Sequence, residues 1–143
     1  MTLSRPTSRA LPIALLRTRE HVMEPIRPML AEIGMTEQKW RVLRIVAEAG
    51  PMEQTSISRD ACLLLPSLTR ILRGMEAESL IQRHEDPTDK RRSIVTITTK
   101  GTDLIAAHAP SSQAIYASLE KALGRKKLDQ LLDLLEEVQE IDI

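Results

Sequence analysis

From Leu11 to Ile33 apolar residues return at roughly helical spacing, at Leu15, Leu16, Val22, Met23, Ile26, Leu30 and Ile33, which predicts a long amphipathic helix. Pro25 and Pro28 interrupt it. Each lacks a backbone donor and crowds the preceding turn, so a kink or break is expected near Glu24 to Arg27. After Gly34, Thr36 can cap a second helix that carries Trp40, Leu43, Val46 and Ala47 on one face and stops at Gly50-Pro51. Residues 53–61 suit a short third helix. The apolar run Cys62-Leu63-Leu64-Leu65 then leads into Pro66, which fits the first position of a fourth. On that helix Leu68, Ile71, Leu72 and Met75 share one face, and Thr69, Arg70 and Arg73 fall on the other.

Beyond Leu80 the period changes. Ile81 to Glu85 and Ile94 to Thr98 alternate apolar and polar residues as half-buried strands do, joined by the loop Asp86-Pro87-Thr88-Asp89-Lys90-Arg91-Arg92. Helical patterning resumes from Asp103 to Leu123, with Pro110 expected to interrupt it. Gly124 separates a last helix in which Leu128, Leu131, Leu135 and Val138 follow three- and four-residue steps. Leu132, Leu134 and Ile141 widen that stripe beyond what one neighbour covers, so a second copy of the chain is the expected cover.

A short helix joined to a hairpin with a cationic tip is the layout of a winged helix-turn-helix: mainly α, with a small β-hairpin wing. A helix that reads the major groove needs small or hydrogen-bonding residues near its start and cations that reach bases and phosphates. Ser67, Thr69, Arg70 and Arg73 supply both. In the hairpin tip, Arg91 and Arg92 can enter a minor groove or clamp phosphates beside Lys90, while Asp89 can hold an arginine in a two-point pair that shapes the loop. The plainer alternatives are a solvated helix face and a solvated charged turn.

Composition narrows the picture. With 143 residues there is room for one compact unit, and because Trp40 and Tyr116 are the only aromatics, leucine, isoleucine and methionine must fill its core. Formal net charge is zero, so affinity for DNA has to come from local clustering of cations. Cys62 is the only cysteine, which excludes an internal disulfide and a cysteine-rich zinc site. Its apolar neighbours favour a buried, inert thiol. No stretch is apolar enough to span a bilayer, and Met1 to Ala10 lacks the apolar core of a secretory signal, so a cytoplasmic protein is expected. Five glycines leave no phosphate-cradling loop, and neither a nucleophile with its base, a carboxylate pair nor a metal set occurs at usable spacing. The chain therefore reads as no enzyme, with no cofactor. An adaptor that uses a winged fold without DNA is the remaining class.

Asp89-x-Arg91-Arg92 between two strands, SIVTITTKG from Ser93 to Gly101, and SLTRILRGMEAESLIQR from Ser67 to Arg83 resemble the wing and recognition helix of the MarR family of bacterial transcription regulators. LPIALLRTRE from Leu11 and TEQKWRVLRI from Thr36 are similar to its branch that represses homoprotocatechuate (4-hydroxyphenylacetate) catabolic operons. The resemblance covers nearly the whole chain. It implies a single MarR-like domain over residues 1–143, with a winged lobe over about 36–98 and dimerisation helices over about 8–33 and 103–143. It further implies a homodimeric repressor that binds successive half-sites of a palindrome and is released by a small phenolic or aromatic carboxylate. Carried over by position, Arg19, Trp40 and Arg41 are the residues implied to hold that ligand, with His21 beside them near the face of Arg17. Pro25 and Pro110 depart from the branch. A winged regulator answering another signal, such as oxidation at Cys62, is the alternative.

Overall fold

The computed structural model describes residues 5–143, so the first four residues of the Met1 to Ala10 stretch lie outside the described residues. A 3-10 turn at Thr7–Arg9 precedes seven helices, α1 (Leu11–Met23), α2 (Ile26–Glu32), α3 (Glu37–Ala49), α4 (Gln54–Ala61), α5 (Leu65–Ala77), α6 (Thr99–Leu123) and α7 (Arg125–Glu140). Three short strands, β1 (Met52–Glu53), β2 (Ile81–Glu85) and β3 (Ser93–Ile97), form one antiparallel sheet in the order β1-β3-β2. Among the described residues no helix is long and apolar enough to cross a membrane.

The break expected between Glu24 and Arg27 is there: α1 ends at Met23 and α2 starts at Ile26, after Pro25. Thr36 caps α3 by accepting a hydrogen bond from the Lys39 amide at 3.2 Å. Val42, rather than the expected Ala47, joins Trp40, Leu43 and Val46 on the buried face of α3. At α5, Leu65 is the first helical residue and Pro66 the second, where a missing donor is equally harmless. Pro110 does not interrupt α6, which runs unbroken from Thr99 to Leu123. One lost backbone bond within a 25-residue helix leaves the bonds on either side to carry it through.

The strand β1 was not legible, because two residues carry no alternation. It exists through β3, with Met52 opposite Val95 and Glu53 opposite Ile94. On the other edge of β3, Ile81 lies opposite Ile97 and Glu85 opposite Ser93.

The chain divides into two compact units, the first ending at Ala107 and the second running His108–Ile143, with α6 contributing to both. In the first unit Val42, Leu43, Val46, Ile57, Leu68, Leu72, Met75, Ile81 and Val95 form a core from which water is excluded. In the second, α7 has no buried residue, and Leu131, Leu132 and Leu134 are exposed.

Gly101 closes the first unit's core. Thr98 caps the start of α6 by accepting from the Gly101 amide at 3.1 Å, and its hydroxyl donates to the Ser79 carbonyl at 2.6 Å. The helix thereby lies so close to the turn between α5 and β2 that a β-carbon at Gly101 would sit 2.5 Å from the Leu80 carbonyl oxygen and 2.8 Å from Ile97. Backbone cannot yield as a side-chain tip can. Gly101→Ala is expected to lower stability by about 1–3 kcal/mol, read as a lower denaturant midpoint at unchanged slope.

Candidate nucleic-acid interface

The orientation of α5 follows from its burial. Leu68, Leu72 and Met75 are fully enclosed, with Ile71 half-buried beside them, so the opposite face points outward with Arg70 and Arg73 on it. Both arginines are exposed and make no ion pair among the described residues. Ser67 is half-buried in the first turn.

Thr69 is half-buried at the edge of that face. Its hydroxyl donates to the Leu65 carbonyl at 2.9 Å and accepts from Gln54 Nε2 at 2.7 Å, so it is used in seating α5 against the start of α4. A wheel places residues on a helix, but the neighbour's reach decides which are engaged.

Cys62 corrects the sequence reading. It is exposed, and at φ 55° it occupies the left-handed region where α4 terminates and the chain turns toward α5. Leu64, 77% exposed at the cap of α5, shows the same cause. The chain must reverse within a few residues there, and a tight reversal at the surface cannot bury every apolar side chain it contains.

In the wing, two carboxylates shape the tip. Asp86 Oδ1 accepts from the Thr88 amide at 2.9 Å and from its hydroxyl at 2.8 Å. Asp89 Oδ1 accepts from the Arg91 amide at 3.0 Å and from Arg91 Nε at 3.2 Å, while Arg91 Nη2 reaches Asp89 Oδ2 at 3.5 Å. The pairing expected of Asp89 thus falls to Arg91, whose side chain is 91% exposed at the tip. Lys90 is exposed next to it. Arg92 is held instead by Glu53 at 3.3 Å and by Asp86 at 3.9 Å, tying the loop to the strand that precedes α4.

Elsewhere in the first unit a cleft of about 500 Å³ is lined by Arg19, Glu20, Arg27, Leu30, Met35, Thr36, Glu37 and Gln38. Arg19 pairs with Glu37, as do Arg27 at 3.1 Å and Arg41 at 3.5 Å. Arg41 also donates to the carbonyl of Ala61, the last residue of α4, at 2.7 Å. The hydrogen bond from Arg19, followed by that from Arg27, holds the Glu37 carboxyl below its ordinary value. Of the four ligand residues implied by resemblance, Arg19 lines this cleft and Arg41 meets it through Glu37. Trp40 is 7% exposed and belongs to the core, and His21 is exposed on α1. Glu37 and Arg27 escaped the sequence reading. The spacing Glu37-x-x-x-Arg41, one helical turn, was the available signal.

The MarR family model matches residues 35–93, from the turn before α3 to the start of β3. The HTH-type transcriptional regulator FarR of Neisseria gonorrhoeae is 35% identical over 91% of this chain and 89% of its own length. The homoprotocatechuate degradative operon repressor of Escherichia coli is 37% identical over 90% and 86%. The chain belongs to the MarR family. Its members are DNA-binding transcription regulators and not enzymes, and the fold is their winged helix-turn-helix. The crystal structure of the regulator NadR in complex with 4-hydroxyphenylacetate superposes on this MarR-family chain with a TM-score of 0.87 at 33% identity, covering 99% of it and 100% of NadR.

The wing geometry carries a testable consequence. Backbone and side-chain bonds from Arg91 to Asp89, and from Thr88 to Asp86, lower both carboxyls from the ordinary 3.8. A depressed value means the latch is complete above 3.8 and is lost as pH falls through the lower, folded-state value. In the folded protein the Thr88 and Arg91 amide resonances should titrate with midpoints below 3.8. A midpoint at or above that value contradicts the latch.

Proposed function

We propose that this MarR-family regulator is a homodimeric repressor of an aromatic-acid catabolic operon, released from a palindromic operator by a small phenolic or aromatic carboxylate. The observation that carries the DNA-binding part is the open face of α5, where Arg70 and Arg73 stand exposed and without an ion pair among the described residues, together with a wing tip that presents Arg91 and Lys90. Ser67, Arg70 and Arg73 read base edges and nearby phosphates, and Lys90 and Arg91 hold the backbone or a narrow minor groove. Thr69, Asp89 and Arg92 serve the same surface by positioning it, through Gln54, Arg91 and Glu53 respectively. The exposed leucines of α7 support the homodimer, since a second copy would cover a stripe that the chain leaves in water.

The name of the E. coli relative and the 4-hydroxyphenylacetate in the NadR complex support an aromatic acid as the effector. Of the matching candidates Arg19, His21, Trp40 and Arg41, Arg19 at the cleft offers a guanidinium for the carboxylate, whereas the Trp40 indole is enclosed in the core.

The test uses DNA selected from a random pool by the protein itself. Arg70→Ala should lose discrimination between selected and random duplexes, by roughly 1–3 kcal/mol, as expected of a base contact. Arg91→Ala should weaken both duplexes by a similar factor with a shallower dependence on salt. Unchanged binding of Arg91→Ala at ~150 mM salt removes the wing from the interface. Millimolar 4-hydroxyphenylacetate should release selected DNA from the wild-type protein, and DNA should weaken binding of the acid by the same factor.

A further inference from the structure

Three consecutive apolar residues stand in water where α5 begins. Leu64 is 77% exposed at the N-cap, Leu65 is 43% exposed at the first helical position, and Pro66 is exposed at the second. The tight reversal out of α4 explains why this place lies at the surface, but not why leucines occupy it. Leu64 has the extended backbone of an N-cap, a position that suits serine, threonine, aspartate or asparagine because their side chains accept from the first free amides of a helix. Here no side chain caps α5. The chain forgoes a cap and leaves apolar surface wet, and both choices cost stability.

The turn that presents these residues is pinned. The Ser58 hydroxyl donates to the Leu63 carbonyl, the Leu63 amide donates to the Ser58 carbonyl at 3.0 Å, and Arg41 holds the Ala61 carbonyl at 2.7 Å. The Leu64 carbonyl accepts from the amide of Leu68, a fully buried residue, at 2.9 Å. Leu64 and Leu65 therefore project from a fixed backbone, at the start of the helix whose outward face carries Arg70 and Arg73.

We propose that Leu64 is a specificity-determining residue that reads thymine by packing on its 5-methyl group in the major groove, with Leu65 completing the apolar contact. This rests on the reading above that α5 enters the major groove with its arginines outward. Of the four bases thymine alone offers an apolar group in that groove, whereas arginine is matched to the acceptors of guanine, so a helix carrying both residue types reads two different bases. The N-terminal residues of such a helix are the ones offered to base edges. Contact removes water from leucine and methyl together, so the surface that is unfavourable in the free protein becomes favourable on DNA. Cytosine, adenine and guanine offer no methyl and leave the leucine facing polar edges. From Leu65 to Arg73 the helix extends about 12 Å, roughly three and a half base-pair steps, which sets the thymine within about four base pairs of the bases read by the two arginines.

The test replaces the thymines of the selected duplex by uracil one at a time, a change that deletes the methyl and keeps the hydrogen-bonding edge. Wild-type protein should bind about fourfold more weakly when the contacted thymine is replaced, the effect of one methyl left unburied. Leu64→Ser supplies the missing cap, so it should melt no lower than wild type, and its preference for thymine over uracil at that position should fall below about twofold. The double variant Leu64→Ser with Leu65→Ala should bind the two duplexes equally. Arg70→Ala should keep the fourfold preference while losing discrimination elsewhere in the site. A wild-type protein indifferent to uracil at every thymine overturns the contact, and so does a Leu64→Ser variant that keeps the full preference. A change of oligomeric state in Leu64→Ser assigns the leucines to a protein interface and overturns it as well. Failure to select any duplex removes the reading of α5 along with this one, whereas a selected duplex that Arg70→Ala weakens and uracil does not removes the thymine contact alone.

Discussion

The burial of one stripe on α5 governs the rest of the DNA-binding lobe. Leu68, Leu72 and Met75 are completely enclosed, and α5 packs against α3, α4 and β2. Each such side chain stabilises the fold by roughly 1.5–3 kcal/mol, so rotating the helix by even one residue would expose more apolar surface than a small domain tolerates. The outward direction of Arg70 and Arg73 is therefore a consequence of the core. Thr69 lies at the seam between the two faces, where its hydroxyl satisfies Gln54 and Leu65.

The arginines divide by what surrounds them. Arg19, Arg27, Arg83 and Arg92 each contact a carboxylate from another element and join elements together, and Arg41, paired with Glu37 on its own helix, does so through the Ala61 carbonyl. Arg91 meets only the neighbouring Asp89, which shapes the tip without withdrawing the guanidinium from solvent. Pairing of this local kind limits the rotamers an arginine samples and so lowers the entropy lost when it meets a phosphate.

Zero net charge conceals a division along the chain. From His108 to Ile143 four cations face seven anions, a net −3, which leaves +3 on Met1–Ala107. Screening confines the effect of each to about 8–10 Å at ordinary salt, so the lobe that carries α5 and the wing acts as a cationic body despite the neutral total. The overall charge was a poor guide because electrostatic recognition is decided within a Debye length.

Periodicity alone determined most of the architecture: the break at Pro25, the cap at Thr36, the outward arginines of α5 and the β2 strand can all be read from spacing, proline chemistry and alternation. These are local properties, set by backbone geometry over a few residues. Tertiary structure decided whatever depends on a distant partner. It exposed Cys62 and Leu64, turned Arg92 toward Glu53, made β1 from two residues by pairing them with β3, and carried α6 unbroken past Pro110. It also gathered Arg19, Arg27 and Arg41 around Glu37, four positions on three helices. A one-dimensional pattern records which residues are able to pair. Which of them do is settled by packing, because only the folded chain brings residues eighteen or more positions apart to within reach of a hydrogen bond.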